Sequence, residues 1–156
     1  MKKKILLGFP VALTVLFLDR LSKVLISRNM FEGESTEVIG NFFRFTYVRN
    51  PFAAFSINFG GYWIMMALWA VAVVFVILYF YRTEFQWVKI TALGMIIGGA
   101  FGNGFDRIKF REVTDFLDFG IGRNRFAIFN VADTCVFIGV CLLILLMYLE
   151  KDEAKT

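Results

Sequence analysis

The chain has 156 residues, 58% of them hydrophobic and 18% aromatic, with a mean hydropathy of +0.66, which is too apolar for an ordinary soluble domain and of a length that suits one domain. It contains no histidine, which excludes Ser-His-Asp and Cys-His catalysis and every His-ligated metal site. Its net charge of +4 comes from basic residues that flank apolar runs and form no extended stripe, so lipid headgroups rather than nucleic acid are the expected partner.

A membrane span needs about 20 mostly apolar residues. The first candidate, 5–26, follows Lys2, Lys3 and Lys4. It has the look of a signal peptide, but no small-residue cleavage site follows, and it is expected to be a retained span. No cysteine precedes Cys135, so the chain is not expected to be a lipoprotein precursor itself. Near the end of this run stands "DRLSK". Asp19, Ser22 and Lys23 share one helix face there, and Asp19 and Lys23 are four apart, which suits an ion pair that softens their desolvation.

Residues 27–61 form a first outer segment. Phe43, Phe45 and Tyr47 alternate with Arg44, Thr46 and Val48, a period of two that predicts a strand, resting on the membrane interface. Gly60 and Gly61 close the segment. The second span, 62–81, carries no charge. The third, 88–105, places Gly94, Gly98 and Gly102 at i, i+4 and i+8, a stripe for close packing against a neighbouring helix. Asn103, Asp106 and Arg107 follow at its outer end, where amide and guanidinium donors suit peptide carbonyls or a phosphate.

The second outer segment, 106–125, contains "VTDFLDF". As a strand it puts Val113, Asp115, Leu117 and Phe119 on one face and Thr114, Phe116 and Asp118 on the other. At most one of the two acids is then expected to meet Asp133. The fourth span, 126–149, contains Asn130 and Asp133 three apart, with no base on the same helix to neutralise the acid. An ionisable group in a span costs about 2.5–3.5 kcal/mol on insertion scales and marks a functional site by default. Cys135 and Cys141, six apart in this run, read as small core-packing residues with no disulfide or metal framework.

The expected fold is therefore an all-α membrane protein of one domain, 1–156, with four transmembrane helices and a small β element on the outer face. The three N-terminal lysines favour cytoplasmic N- and C-termini. The remaining basic residues do not help: seven of the 17 fall on the inner side and ten outside.

Without histidine, one hydrolytic option dominates. Two carboxylates about 3 Å apart share a proton, so that one activates water and the other steadies the oxyanion. Asp133 and one acid of the outer segment would satisfy this. Two other readings stay open from the residues alone: a small proton- or cation-coupled transporter, whose acids belong near the midplane, and an assembly factor that uses the glycine stripe to hold a partner helix.

The stretches "DRLSK" (19–23), "VRNPFAAFS" (48–56), "GGAFGNGFDR" (98–107), "VTDFLDF" (113–119) and "FNVADT" (129–134) together resemble the bacterial lipoprotein signal peptidases (signal peptidase II), a family of four-span aspartic endopeptidases. The resemblance covers nearly the whole chain. It implies a catalytic dyad at Asp115 and Asp133, a substrate site lined by Asn103, Arg107 and Asn130, and supporting roles for Asp19, Lys23, Asn50 and Asp106. It implies prolipoprotein substrates that already carry a diacylglyceryl group on cysteine, cleaved just before that cysteine, with no metal or cofactor. It further implies a monomer in the bacterial inner membrane, its active site near the outer face, in contact with membrane lipid and open to globomycin-type cyclic peptide inhibitors. The chain departs from the family in "NPFAAF", where Phe52 stands in place of the usual glycine. Phenylalanine resists backbone conformations that glycine permits, which bears on how Asn50 is presented.

Overall fold

A computed structural model describes residues 1–51 and 61–153. Phe52 and Gly60 lie outside the described residues. Among the described residues four helices form: α1 (Lys2–Asn29), α2 (Tyr62–Arg82), α3 (Trp87–Phe110) and α4 (Val131–Glu153). All four are long and apolar enough to cross a membrane. Their outward faces carry the large apolar side chains, among them Phe17, Trp63, Phe75, Phe137 and Ile144, which suits a lipid solvent rather than water.

The third helix is the hub, packing on the other three. Its glycines explain how. A Cβ on Gly98 would stand 2.5 Å from the Ala12 carbonyl oxygen of α1, and one on Gly94 2.8 Å from the Gly8 oxygen. A Cβ on Gly99 would stand 2.5 Å from the Ala132 oxygen of α4. The predicted stripe Gly94, Gly98, Gly102 does face one neighbour, α1. Gly99 opens a second face, to α4, that the four-residue spacing did not reveal. Trp69 of α2 lies over Gly104 and donates its indole N–H to the Ala100 carbonyl at 2.9 Å.

At the end of the bundle away from the chain termini sits an antiparallel sheet in the order β1 (Ser35–Ile39), β2 (Phe43–Asn50), β3 (Val113–Ile121), β4 (Asn124–Arg125). The strand expected at Phe43–Val48 is β2, and "VTDFLDF" lies in β3. A bulge in β2, between Phe45 and Val48, sets two residues of β2 against Phe116. Phe119 stacks between Phe43 and Phe129, with ring centroids 4.5 and 5.8 Å away.

Two boundaries beside the sheet and one side-chain placement differ from the sequence reading. The third helix runs through to Phe110, so residues 106–110, including Asp106 and Arg107, belong to the span and not to the outer segment. The fourth helix starts at Val131 rather than 126, because Phe129 bridges to Leu117 of β3 and Asn130 caps the helix. Cys141 is exposed on the apolar outer face of α4 instead of packing in a core, and both cysteines are free. At the opposite end of the bundle Lys4 is buried, its ammonium donating to the carbonyls of Phe80, Tyr81 and Thr83 at 3.3, 2.8 and 2.6 Å. It closes the C-terminus of α2, whose last carbonyls have no helical partner.

Candidate active site

The site grows from the start of α4. Asn130 is an N-cap: its Oδ1 accepts the backbone N–H of Asp133 at 2.9 Å, and its own backbone N–H donates to Asp133 Oδ2 at 3.3 Å. The reciprocal pair is a capping box, with Asp at the position where Glu or Gln is more usual. Because the cap consumes the amide oxygen, the Asn130 NH2 must turn the other way. It donates to Asp115 Oδ1 at 2.7 Å and to Asn103 Oδ1 at 3.1 Å. Asp115 arrives from near the start of β3, and its Oδ2 accepts the Asn50 amide from β2 at 3.0 Å.

Asn103 comes from α3. Its Oδ1 also accepts the Lys23 ammonium at 2.9 Å, and an ammonium can only donate, so the Asn103 NH2 is left to face Asp133 Oδ1 at 2.7 Å. Behind it lies a buried ion cluster. Lys23 contacts Asp19 at 2.8 Å and Asp106 at 2.9 Å, Arg20 pairs with Asp106, and Asp19 Oδ1 accepts the Ala132 backbone N–H at 3.0 Å. Asp19, Lys23 and Asp106 are 2% exposed or less, so each charge depends on its partners. The Asp19–Lys23 pair is the one expected from their spacing.

Asp115, Asp133, Asn50, Asn103 and Arg107 line one end of a cavity of about 490 Å³. Apart from Thr134 the remainder of the wall is apolar: Val113, Phe126–Phe129, and Val136, Phe137 and Val140 of α4. The cavity is therefore amphipathic, with its polar groups gathered at the junction of sheet and helices. Burial and the nearby Asp133 charge push the Asp115 carboxyl up to about 6, while the Asn50 and Asn130 amides pull it down.

Of the nine residues singled out in the sequence, five line this cavity, Asp19, Lys23 and Asp106 form the ion cluster behind it, and Asn130, expected to line the substrate site, is instead fully buried, bonded to Asp115 and Asn103. The two acids of "VTDFLDF" part company as the strand alternation requires. Asp118 is also buried, but it accepts from Thr46 and Arg125 on the sheet. Arg20 was not anticipated as a partner of Asp106. Its position, three before Lys23 on α1, carried no distinguishing signal in the sequence.

Comparison with known proteins gives the family. Residues 11–149 match the family model of signal peptidase (SPase) II. The lipoprotein signal peptidase of Halothermothrix orenii is 40% identical over 93% of this chain and 96% of its own. That of Desulfitobacterium hafniense is 44% identical over 89% and 91%, and that of Bacillus subtilis 34% over 96% and 98%. Two solved bacterial membrane enzyme structures superpose with TM-scores of 0.87 and 0.81, at 30% and 32% identity, over 94% and 90% of this chain and 90% and 91% of theirs. The transporter and assembly-factor readings fall with these matches, and the chain belongs to the signal peptidase II family of lipoprotein signal peptidases, multi-pass membrane aspartic peptidases that remove signal peptides from prolipoproteins.

Proposed function

We propose that Asp115 and Asp133 are the catalytic dyad of this peptidase. One observation carries the reading: the two carboxylates line one cavity and are bridged by Asn130, whose NH2 holds Asp115 and whose backbone N–H holds Asp133. The pair shares one proton. Its ionised member takes a proton from a water, and the hydroxide attacks the scissile carbonyl carbon. The protonated member donates to the carbonyl oxygen as it becomes an oxyanion. Collapse of the tetrahedral intermediate breaks the C–N bond: the proton taken from water passes to the departing amine, and the hydroxyl proton of the intermediate returns to the dyad, restoring its shared proton. The signal peptide leaves with a new carboxyl group and the lipoprotein with a free amino group.

The substrate is a prolipoprotein bearing a diacylglyceryl-modified cysteine, cut on the N-terminal side of that cysteine. The amphipathic cavity suits such a substrate. Its polar end accommodates the peptide bond, with Asn103 and Arg107 as donors and Asn130 holding Asp115 behind them, and its apolar walls border the lipid-facing side of α4. Asp19, Lys23, Asn50 and Asp106 support the site from behind. The termini are cytoplasmic and the sheet end is at the outer face, in contact with membrane lipid. The protein works as a monomer without metal or cofactor, and globomycin-type cyclic peptides occupy the same cavity.

The test is cleavage of a diacylglyceryl-modified prolipoprotein by the detergent-purified enzyme, followed on a gel. Asp115→Asn and Asp133→Asn are each expected to lower turnover by roughly 10²–10⁴-fold, with Asp118→Asn still turning over. Equal cleavage by all three variants would remove the dyad assignment.

A further inference from the structure

The second acid of "VTDFLDF" is buried and makes no contact with the dyad, yet it is heavily used. Arg125 lies along the sheet tip and donates from Nε to Asp118 Oδ1 at 2.9 Å and from Nη2 to the Asp118 carbonyl at 2.9 Å. Its Nη2 also stands 2.8 Å from Oδ1. The third nitrogen, Nη1, reaches the turn between β1 and β2, donating to the Asn41 carbonyl at 2.5 Å and to Asn41 Oδ1 at 3.2 Å. The other carboxylate oxygen of Asp118 accepts the Thr46 hydroxyl at 2.7 Å, and Asn41 returns its amide to the Gly122 carbonyl at 3.1 Å. One guanidinium thus ties β3, β4 and the β1–β2 turn together. The backbone is shaped to admit it: a Cβ on Gly120 would stand 2.7 Å from Arg125 Cδ and 2.9 Å from its Nε.

What this knot holds is the wall of the cavity. The chain passes from Arg125 directly into Phe126–Phe129, which lines the cavity. That segment runs back along β3, with the Phe126 N–H on the Phe119 carbonyl at 2.8 Å, the Leu117 N–H on the Phe129 carbonyl at 2.7 Å and the Phe129 N–H on the Leu117 carbonyl at 3.2 Å. The dyad lies past the far end of this ladder and has its own fixings in Asn50, Asn103 and Asn130. Loosening the knot therefore moves the wall more than it moves the acids.

We infer that the Asp118–Arg125 pair is a positioning device that sets the Phe126–Phe129 wall against the apolar part of the substrate, so that it governs substrate binding and not the chemical step. The inference rests on the cavity being the substrate site. It predicts a split in kinetics. Arg125→Lys keeps the charge but cannot reach Asp118 and Asn41 at once, since an ammonium lacks the planar fork. Asp118→Ala removes the acceptor outright, and Asp118→Asn, which keeps the shape and one oxygen, is read in its place should Asp118→Ala not be recovered folded.

The experiment is steady-state cleavage of the lipid-modified prolipoprotein by the full-length enzyme, with amide hydrogen exchange on the same samples. Arg125→Lys and Asp118→Ala are expected to raise KM by roughly tenfold, with kcat within about twofold of the parent. The Leu117, Phe126 and Phe129 amides are expected to exchange faster in both. A folded Arg125→Lys with unchanged KM, a fall in kcat at constant KM, or unchanged exchange at these three amides would each overturn the assignment. Exchange does not depend on turnover. A failure of the dyad reading, seen as an active Asp115→Asn, is therefore separable from a failure of this one.

Discussion

Asn130 donates its side-chain N–H to Asp115 at 2.7 Å only because its amide oxygen is already spent on the α4 N-terminus. Helix capping and orientation of the acid are thus one interaction seen from two ends. Asn130→Ser separates them. Serine caps a helix about as well as asparagine but cannot reach across to β3. The variant is expected to fold with nearly parental thermal stability while its turnover falls about 10- to 100-fold, the scale of one lost hydrogen bond to a charged group. Asn130→Ala is expected to lose the same activity and, in addition, about 1 kcal/mol of stability. Thermal unfolding and cleavage rates on the three proteins check both parts.

Lys23 is the cation on which two buried acids depend. It stands 2.8 Å from Asp19 and 2.9 Å from Asp106, and Arg20 reaches only the second of these. Lys23→Met keeps the length of the side chain and strands Asp19 without a counter-ion. Breaking one side of a buried pair costs roughly 3–5 kcal/mol. The variant is expected to unfold well below the parent in a detergent melt, and Lys23→Met with Asp19→Asn to recover part of the loss. An undiminished melting temperature for the single variant would mean that the cluster does not carry its charges as drawn.

Much of this was legible in the sequence because a membrane makes polar residues conspicuous. Asp19, Lys23, Asn103, Asp106 and Asp133 stand out in apolar runs where each is costly. Period two in "VTDFLDF" was enough to separate Asp115 from Asp118. The choice between those acids came from family resemblance, since alternation says that they diverge but not which one turns inward. The capping box was hidden because Phe126–Phe129 is apolar enough to read as helix. Only the pairing of Phe129 with Leu117 makes that stretch a strand-like wall and moves the helix start to Val131. Arg20 and Arg125 escaped notice because long basic side chains near span ends are ordinary, and nothing local marks one whose partner is distant in sequence.

The close approach of α3 to α1 makes a further expectation. A methyl on Gly98 would be driven into the Ala12 carbonyl, which belongs to a helix backbone and cannot step aside as a flexible side chain can. Gly98→Ala is expected to destabilise the bundle by about 1–3 kcal/mol, despite alanine's better helix propensity. Gly33→Ala, on the exposed approach to β1, meets no neighbouring atom within 4 Å, so its cost comes only from its backbone φ of +85°. Melting curves of the two variants in one detergent compare overpacking with backbone strain.

Asp115 supplies the pH dependence. Its carboxyl titrates at about 6 in the folded protein against 3.8 for the free group, raised first by burial and then by Asp133. In the unfolded chain it ionises from pH 3.8 upward, and in the fold only around 6. The parent therefore loses stability as pH rises from about 4 to about 6, and carries the full cost above that, about 3 kcal/mol. Asp115→Asn does not ionise. Its stability relative to the parent is expected to climb over the same interval and to level off beyond it, whatever its absolute value, since asparagine also places an NH2 against a donor from Asn50 or Asn130. The same proton governs catalysis: kcat/KM of the parent is expected to fall as pH rises through about 6, where the shared proton leaves. Asn50 donates to the ionised form and holds this value down, so Asn50→Ala is expected to move the alkaline limb to higher pH. A limb that stays in place in Asn50→Ala, or a Tm difference between Asp115→Asn and parent that is flat from pH 4 to 7, would mean that the titrating group is not Asp115.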